Sequence, residues 1–328
     1  MSRTDSRLAQ LLAPVEEPMA RMRSLLTKEL AADSAAVSDM TDHIARFRGK
    51  QLRGALVFLV AKATGSLGDE HPQVAAIVEL IHLATLVHDD VLDGAKVRRR
   101  VASVNERWDN QVAVLLGDFL YARAFGMSTR LSSRLCSRLL ARTTQQICTG
   151  EIDEAASRYD FEMTRERYES IAGAKTAALY AAACELGTRY PEGPEDLGRE
   201  MALFGWEMGL AFQIVDDCLD VVGEAEVVGK SVGNDVEDGK VTLPVLITYR
   251  AASEEGRAAI RDVFTLPGLE NRVARLREVC DLGPGVEAAM VRAHELVDSA
   301  RRRLAGLSPS PTLNSLRHFG EFVLERRW

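Results

Sequence analysis

The sequence predicts an all-α protein, and three observations carry that reading. None of its ten prolines falls between Pro72 and Pro191, that interval is rich in Ala, Leu, Arg and Glu, and it lacks the alternating Val/Ile/Thr pattern of half-buried strands. Such a stretch reads as consecutive helices. The chain has 328 residues, 46% hydrophobic and 27% charged, the balance of a folded globular protein. No shift of composition marks a second domain, so residues 1–328 are read as a single large helical domain. Acidic residues exceed basic ones by 48 to 41, a formal charge of -7, which leaves no overall basic field for gripping nucleic acid.

The elements follow in chain order. From Met1 to Ala20, Arg, Asp and Glu interrupt the apolar positions, so no signal-peptide core is expected. The segment Val74 to His88 is apolar almost all the way round, the mark of a central buried helix. Its polar exceptions are Glu79, His82, Thr85 and His88, followed at once by Asp89, Asp90 and Asp93. At about 100° per residue, His82, Asp89 and Asp93 fall within roughly 20° of one direction. Carboxylates at that end oppose the helix dipole, so an electropositive partner is expected. Val112 to Phe125 forms a second long apolar segment. Ala177 to Cys184 is the longest uninterrupted apolar run, far short of the roughly 18 to 20 residues of a bilayer span. Breaker clusters at Tyr190–Pro194, Leu282–Gly285 and Ser308–Pro311 separate further helices. Val222 to Gly239, with four glycines among acidic residues, is expected to be a long functional loop. Five cysteines, with no C-x-x-C pair, argue against zinc-ribbon and thioredoxin chemistry and for reduced thiols in a cytoplasmic protein.

A near-repetition carries the chemistry. Asp89-Asp90-x-x-Asp93 recurs as Asp216-Asp217-x-x-Asp220, each D-D-x-x-D set in apolar helical sequence. The first and last Asp of each motif stand at i and i+4, on one helix face about 6 Å apart. One copy on a solvated helix is often plain surface charge; two copies in apolar surroundings are not. Six converging carboxylates would repel one another without cations between them, and hard oxygen ligands select Mg²⁺ over zinc or copper. Because Mg²⁺ keeps positions for water and phosphate oxygens, the motifs read as two walls gripping a diphosphate through several ions. A di-iron bundle would need two E-x-x-H turns, and only Glu79–His82 qualifies. Lys50 and Arg53, Arg98-Arg99-Arg100, Lys175, Lys230 and Lys240 flank the motifs or follow them, as direct cationic partners of a second diphosphate would.

From about Arg48 to Leu246 the chain resembles the trans-isoprenyl diphosphate synthases of the polyprenyl synthetase family. Gly49-Lys50-Gln51-Leu52-Arg53 resembles the family's G-G-K-R-x-R-P element, and His82 through Arg99 its first aspartate-rich motif. Gly117-Asp118, Gly150-Glu151, Lys175-Thr176, Phe212-Gln213-x-x-Asp216-Asp217-x-x-Asp220 and Gly239-Lys240-x-Thr242-Leu243-Pro244 resemble its other signatures. The resemblance implies an isoprenoid synthase-like helical bundle around an apolar cavity, a homodimer, and three Mg²⁺ ions per active site. It implies that Asp89, Asp93 and Asp216 ligate the metal on the allylic diphosphate, with Asp90, Asp217 and Asp220 in the same walls. Arg98, Lys175, Gln213 and Lys230 would hold or surround the allylic substrate, and Lys240 would join the substrate-binding set. Lys50, Arg53, His82 and Arg99 would hold isopentenyl diphosphate, and Lys175, Thr176 and Gln213 are candidates for stabilising the carbocation. Four positions depart from the pattern: Arg48 for Gly, Gln51 for Arg, Gly54 for Pro and Arg100 for Gly.

The implied reaction is a head-to-tail condensation. The allylic diphosphate leaves, the isopentenyl double bond attacks, and the departing diphosphate takes the proton. A terpene cyclase would pair one D-D-x-x-D with an Asn/Ser/Glu motif, and a head-to-head enzyme would show D-x-x-x-D. A non-catalytic subunit of a two-component synthase would have lost aspartates, and all six are present. In the family, a bulky aromatic four or five residues before the first Asp stops elongation. Here those positions are the small Thr85 and Ala84, so a trans product of roughly thirty to fifty carbons is expected over a farnesyl or geranylgeranyl one. Phe119 or Phe125, on the helix after Gly117-Asp118, is a candidate deeper floor, with ordinary core packing the other reading of either.

Overall fold

In the computed structural model, which describes residues 3–47, 49–99, 101–223 and 233–325, helices follow one another from Arg3 to Leu324. Arg48, Arg100 and Lys230 lie outside the described residues. The chain divides into two compact units. The first comprises Met1–Thr144, Leu179–Gly205 and Arg303–Phe319, the second Gln145–Ala178, Trp206–Arg302 and Gly320–Trp328.

At the heart of the first unit is the helix His71–Leu92. Pro72 sits in its first turn, where no N–H is needed. Val74, Ala75, Ile77, Val78, Glu79, Leu80, Ile81, Leu83, Ala84 and Val87 are buried, which covers every side of the helix. It packs against the helices Glu16–Leu30, Leu52–Thr64 and Asn110–Thr129. The all-round apolar sequence therefore has the environment it requires.

The expected uninterrupted run of helices is broken after Asp93. Val97–Arg98 pairs antiparallel with Val101–Ala102, in the register Val97↔Ala102 and Arg98↔Val101. Two β-branched valines and the left-handed backbone of Arg99 (φ 51°) favour a hairpin there over a helix. The second strand is pinned by His43, whose Nε2 bonds the Ala102 carbonyl at 2.7 Å while Arg107 donates to its Nδ1 at 2.9 Å.

The second unit is built on residues 206–222 of the helix Glu195–Val222 and on Arg165–Ala172, Leu243–Ala251, Glu254–Thr265, Arg272–Val279 and Gly283–Arg303. Met208, Ile214, Val221, Phe264 and Val297 form its core, with Phe161 edge-on to Phe264 at 5.3 Å between ring centroids. Breaker prolines open helices here as well as separating them: Pro284 falls in the first turn of Gly283–Arg303. The loop expected over 222–239 contains a short helix, Asn234–Glu237. No helix among the described residues is long and apolar enough to cross a membrane.

Truncating the buried Ile81 should test this packing. Ile81→Ala is expected to cost about 2–5 kcal/mol, from lost burial plus the cavity left behind. Chemical denaturation measures it, and a cost below roughly 1 kcal/mol would contradict a central position for this helix.

Candidate active site

In the first unit, the motif Asp89-Asp90-x-x-Asp93 ends the central helix. Asp93 caps it, donating its N–H to the Asp89 carbonyl at 2.8 Å, and the side chains of Asp89 and Asp93 are partly exposed. Asp90 between them is 0% exposed. Its electropositive partner is Arg98 on the hairpin, whose Nε donates to Asp90 Oδ1 at 2.8 Å, with a second, shorter contact from Nη2. Burial raises the Asp90 carboxyl above its ordinary range, and Arg98 opposes that shift. Arg98 is itself held charged against burial by Asp90, Asp89 and Asp93.

The residues expected to hold isopentenyl diphosphate lie in the same unit. Arg53, in the first turn of Leu52–Thr64, donates from Nη1 to His82 Nε2 at 3.0 Å, and its guanidinium lies 4.4 Å over the Tyr180 ring. Burial pushes His82 well below its ordinary value, and the charges of Arg53, Arg99 and Arg98 add to the shift. His82 is therefore a neutral acceptor. Arg99 donates to the Phe47 carbonyl in a short contact, and Lys50 is partly buried. Two departures from the family pattern have structural uses. Gln51 caps its helix in a left-handed conformation (φ 50°) and accepts from Arg23 Nε at 3.1 Å. Gly54 donates its N–H to buried Glu79 at 2.7 Å, a bond that proline could not make.

At the chain-length positions, Ala84 is fully buried, and Thr85 is partly buried with its hydroxyl turned back to the His82 carbonyl at 2.8 Å. Phe119 and Phe125 are only partly buried; Arg123 lies over Phe119 and Tyr121 stacks on Phe125. Gly117 has a direct steric reason: a Cβ there would meet His88 Nε2 at 2.1 Å.

In the second unit, the motif Asp216-Asp217-x-x-Asp220 leaves Asp216 partly exposed and buries Asp217 and Asp220. Asp217 accepts from Tyr168 Oη at 2.5 Å and from Gln213 Nε2 at 2.7 Å, and Thr176 Oγ1 donates to Gln213 Oε1 at 2.8 Å. Burial pushes the Asp217 carboxyl up to about 7, against the pull of those two donors. Asp220 Oδ2 accepts the Asp235 N–H at 3.1 Å. Lys175 and Thr176 sit in a widened π turn, Gly173–Ala177, of the kind that recurs at functional sites. Lys175 Nζ holds Glu151 at 2.9 Å and Glu154 at 2.7 Å, and Lys240 lies 3.7 Å from Glu154 and 3.3 Å from Asp238. Gly150 admits that turn, since a Cβ would stand 2.7 Å from the Lys175 nitrogen.

Several of these groups escaped the sequence reading. Glu154 stands one turn after the Glu151 of a recognised signature, a signal that was available. Tyr168, two turns before Lys175, and Tyr180, inside an apolar run, look like ordinary core residues in sequence. Asp235 lay in the expected loop; burial and the charges of Asp220 and Asp217 push its carboxyl well above the usual range.

The donor set suits Mg²⁺. Among the described residues, no three His, Cys, Asp or Glu side chains gather closely enough to hold a metal by themselves. Partly exposed Asp89 and Asp93, one helical turn apart, supply the few hard oxygens that Mg²⁺ takes from protein, leaving its other positions to water and phosphate.

The polyprenyl synthetase family model matches residues 34–281. The chain belongs to that family. Among similar polyprenyl synthetases is heptaprenyl diphosphate synthase component 2 of Geobacillus stearothermophilus, 31% identical over 98% of this chain and 99% of that one. A decaprenyl diphosphate synthase from Rhodobacter capsulatus is 34% identical with a TM-score of 0.89, covering 98% of both chains. A Caulobacter crescentus polyprenyl synthase complexed with calcium and isoprenyl diphosphate is 31% identical with a TM-score of 0.92, again over 98% of both.

The neutral state of His82 predicts a pH dependence. Its folded value lies well below 6.5, so between the two values the unfolded chain binds the extra proton. Its contribution to stability is then lost as pH falls below 6.5, by up to about 1.4 kcal/mol per pH unit. In denaturation curves between pH 7 and 5, His82→Gln should show a shallower loss than wild type. Identical slopes would contradict the assignment.

Proposed function

We propose that this polyprenyl synthetase condenses an allylic prenyl diphosphate with isopentenyl diphosphate head-to-tail, giving a trans product of roughly thirty to fifty carbons. The observation that carries the reading is the intact pair of D-D-x-x-D motifs inside the region matched by the family model. The relatives named for heptaprenyl and decaprenyl products support the long chain, as do the small residues Ala84 and Thr85. Residues 1–328 are proposed to act as one cytoplasmic synthase domain.

Asp89, Asp93 and Asp216 would hold Mg²⁺, three ions per site, with Asp90, Asp217 and Asp220 supporting them. When bound, the metal neutralises charge building on the departing diphosphate. Asp90 fixes Arg98 close to that leaving group, and Lys175, Lys230 and Lys240 add positive charge on the allylic side. Lys50, Arg53, neutral His82 and Arg99 would bind isopentenyl diphosphate directly, with the Arg53 guanidinium backed by the Tyr180 ring 4.4 Å away. The Thr176 hydroxyl and the Gln213 amide offer oxygen dipoles to the allylic cation, and apolar walls keep water from it. The proton lost after carbon–carbon bond formation goes to the departing diphosphate.

A homodimer fits the helix Asn110–Thr129, which leaves Val114 and Leu115 exposed (42% and 59%) beside partly exposed Phe119 and Phe125. The Geobacillus relative favours a second reading, because it is named as one component of a synthase. In that case this chain would turn over only with a partner chain.

Incubating the purified chain with Mg²⁺, farnesyl diphosphate and labelled isopentenyl diphosphate separates these readings. Longer prenyl products from the chain alone are expected, and their absence would favour the two-component reading. EDTA should abolish turnover and Mg²⁺ restore it. Asp89→Ala or Asp216→Ala should lower kcat by several orders of magnitude, and near-normal rates in either would remove the assignment.

Product length is open to a separate check. Thr85→Phe is expected to shorten the product, because a ring at that position fills space beside a packed wall. Mass spectrometry of the dephosphorylated products reads the outcome. A fifteen-carbon product from wild type, or no shortening in the variant, would rule out an open path at Thr85.

A further inference from the structure

Tyr168 is 6% exposed and belongs to a short helix, Arg165–Ala172, that is tied down on both sides. Arg167 pairs with Asp153 at 2.9 Å, while Glu169 takes two hydrogen bonds from Arg292, at 2.8 and 3.0 Å. Thr164 caps the helix by accepting from the Arg167 N–H at 3.1 Å. The Tyr168 hydroxyl is thereby delivered to Asp217 Oδ2 at 2.5 Å. Packing alone would be served by phenylalanine, and burying a phenol hydroxyl costs free energy unless it has a partner. Burial and the neighbouring Asp217 also keep this phenol protonated far above its ordinary range, so it stays a donor.

The chain of bonds has a direction. With Oδ2 occupied by Tyr168, Asp217 offers Oδ1 to the Gln213 amide nitrogen, and the Gln213 oxygen is then turned to accept the Thr176 hydroxyl. We propose that Tyr168 is a positioning residue for the condensation, fixing through Asp217 which way the Gln213 amide faces and hence how Gln213 and Thr176 present their oxygens to the allylic cation. Nothing in the sequence patterns assigns it this role. The inference rests on the reading of Gln213 and Thr176 given above.

A double-mutant cycle on the full-length enzyme tests it, with kcat and both KM values measured at saturating Mg²⁺ and thermal unfolding as a control. Tyr168→Phe should lower kcat by about ten- to a hundred-fold, the worth of one hydrogen bond to a charged group, with less than about a three-fold change in either KM. In a Gln213→Ala background the same substitution should cost less than about two-fold, because the group it orients is gone. A purely structural tyrosine would give multiplicative losses, or a lower Tm at unchanged kcat, and either result overturns the inference. If Gln213→Ala alone keeps wild-type kcat, the reading of the site fails and the inference with it. An impaired Gln213→Ala beside an unimpaired Tyr168→Phe overturns the inference alone. Should Tyr168→Phe not fold, Asp217→Asn takes its place in the cycle, and the same non-additivity with Gln213→Ala is required.

Discussion

Asp90 is a carboxylate with no exposed surface at the end of an apolar helix, and Arg98 is what makes that burial tolerable. Leaving a buried charge without its partner costs several kcal/mol, so the pair constrains everything attached to it. It ties the hairpin to the last turn of the central helix. It also leaves Asp89 and Asp93, on either side, as the partly exposed members of the motif. The sequence logic of an i, i+4 carboxylate pair is thus completed by a third aspartate that faces its arginine.

The second unit solves a similar problem with neutral donors. Asp217 is buried like Asp90, but a phenol and an amide satisfy its two oxygens. Nearby, Glu154 approaches two lysines, Lys175 and Lys240. Cations assigned to substrate by their sequence positions therefore already have carboxylate neighbours. Glu151 and Glu154 lower the cost of keeping these lysines partly buried before substrate binds, and a diphosphate arriving there would compete with them.

Much of this was legible in sequence because the strongest signals are periodic or repeated. The central helix was visible from Val74 to His88, since nothing but a buried helix suits an apolar surface on every side. Both aspartate motifs were visible as repeats, and their family context followed in order along the chain. What stayed hidden depends on tertiary contact. The hairpin at Val97–Ala102 is too short to show a period of two. The i, i+4 spacing set Asp90 apart from Asp89 and Asp93, but spacing alone cannot tell that its partner is an arginine eight residues on, in a hairpin. Gly54 read as a departure from the expected proline until Glu79 was seen to need its N–H. Tyr168 and Tyr180 were indistinguishable from core aromatics.

The π turn at Gly173–Ala177 bears on how such a site tolerates insertions and deletions. Tyr168 and Thr176 are eight residues apart, and in a regular α-helix they would diverge by about 80° around the axis. A widened turn absorbs one residue and takes up most of that angle, so both can reach the same chain of hydrogen bonds. Losing a single residue between them would restore regular helical geometry while shortening the spacing to seven, which preserves the alignment. Gaining one would splay the two side chains apart. The segment should therefore accept a deletion more readily than an insertion, an asymmetry set by helical phase and independent of which side chains are involved.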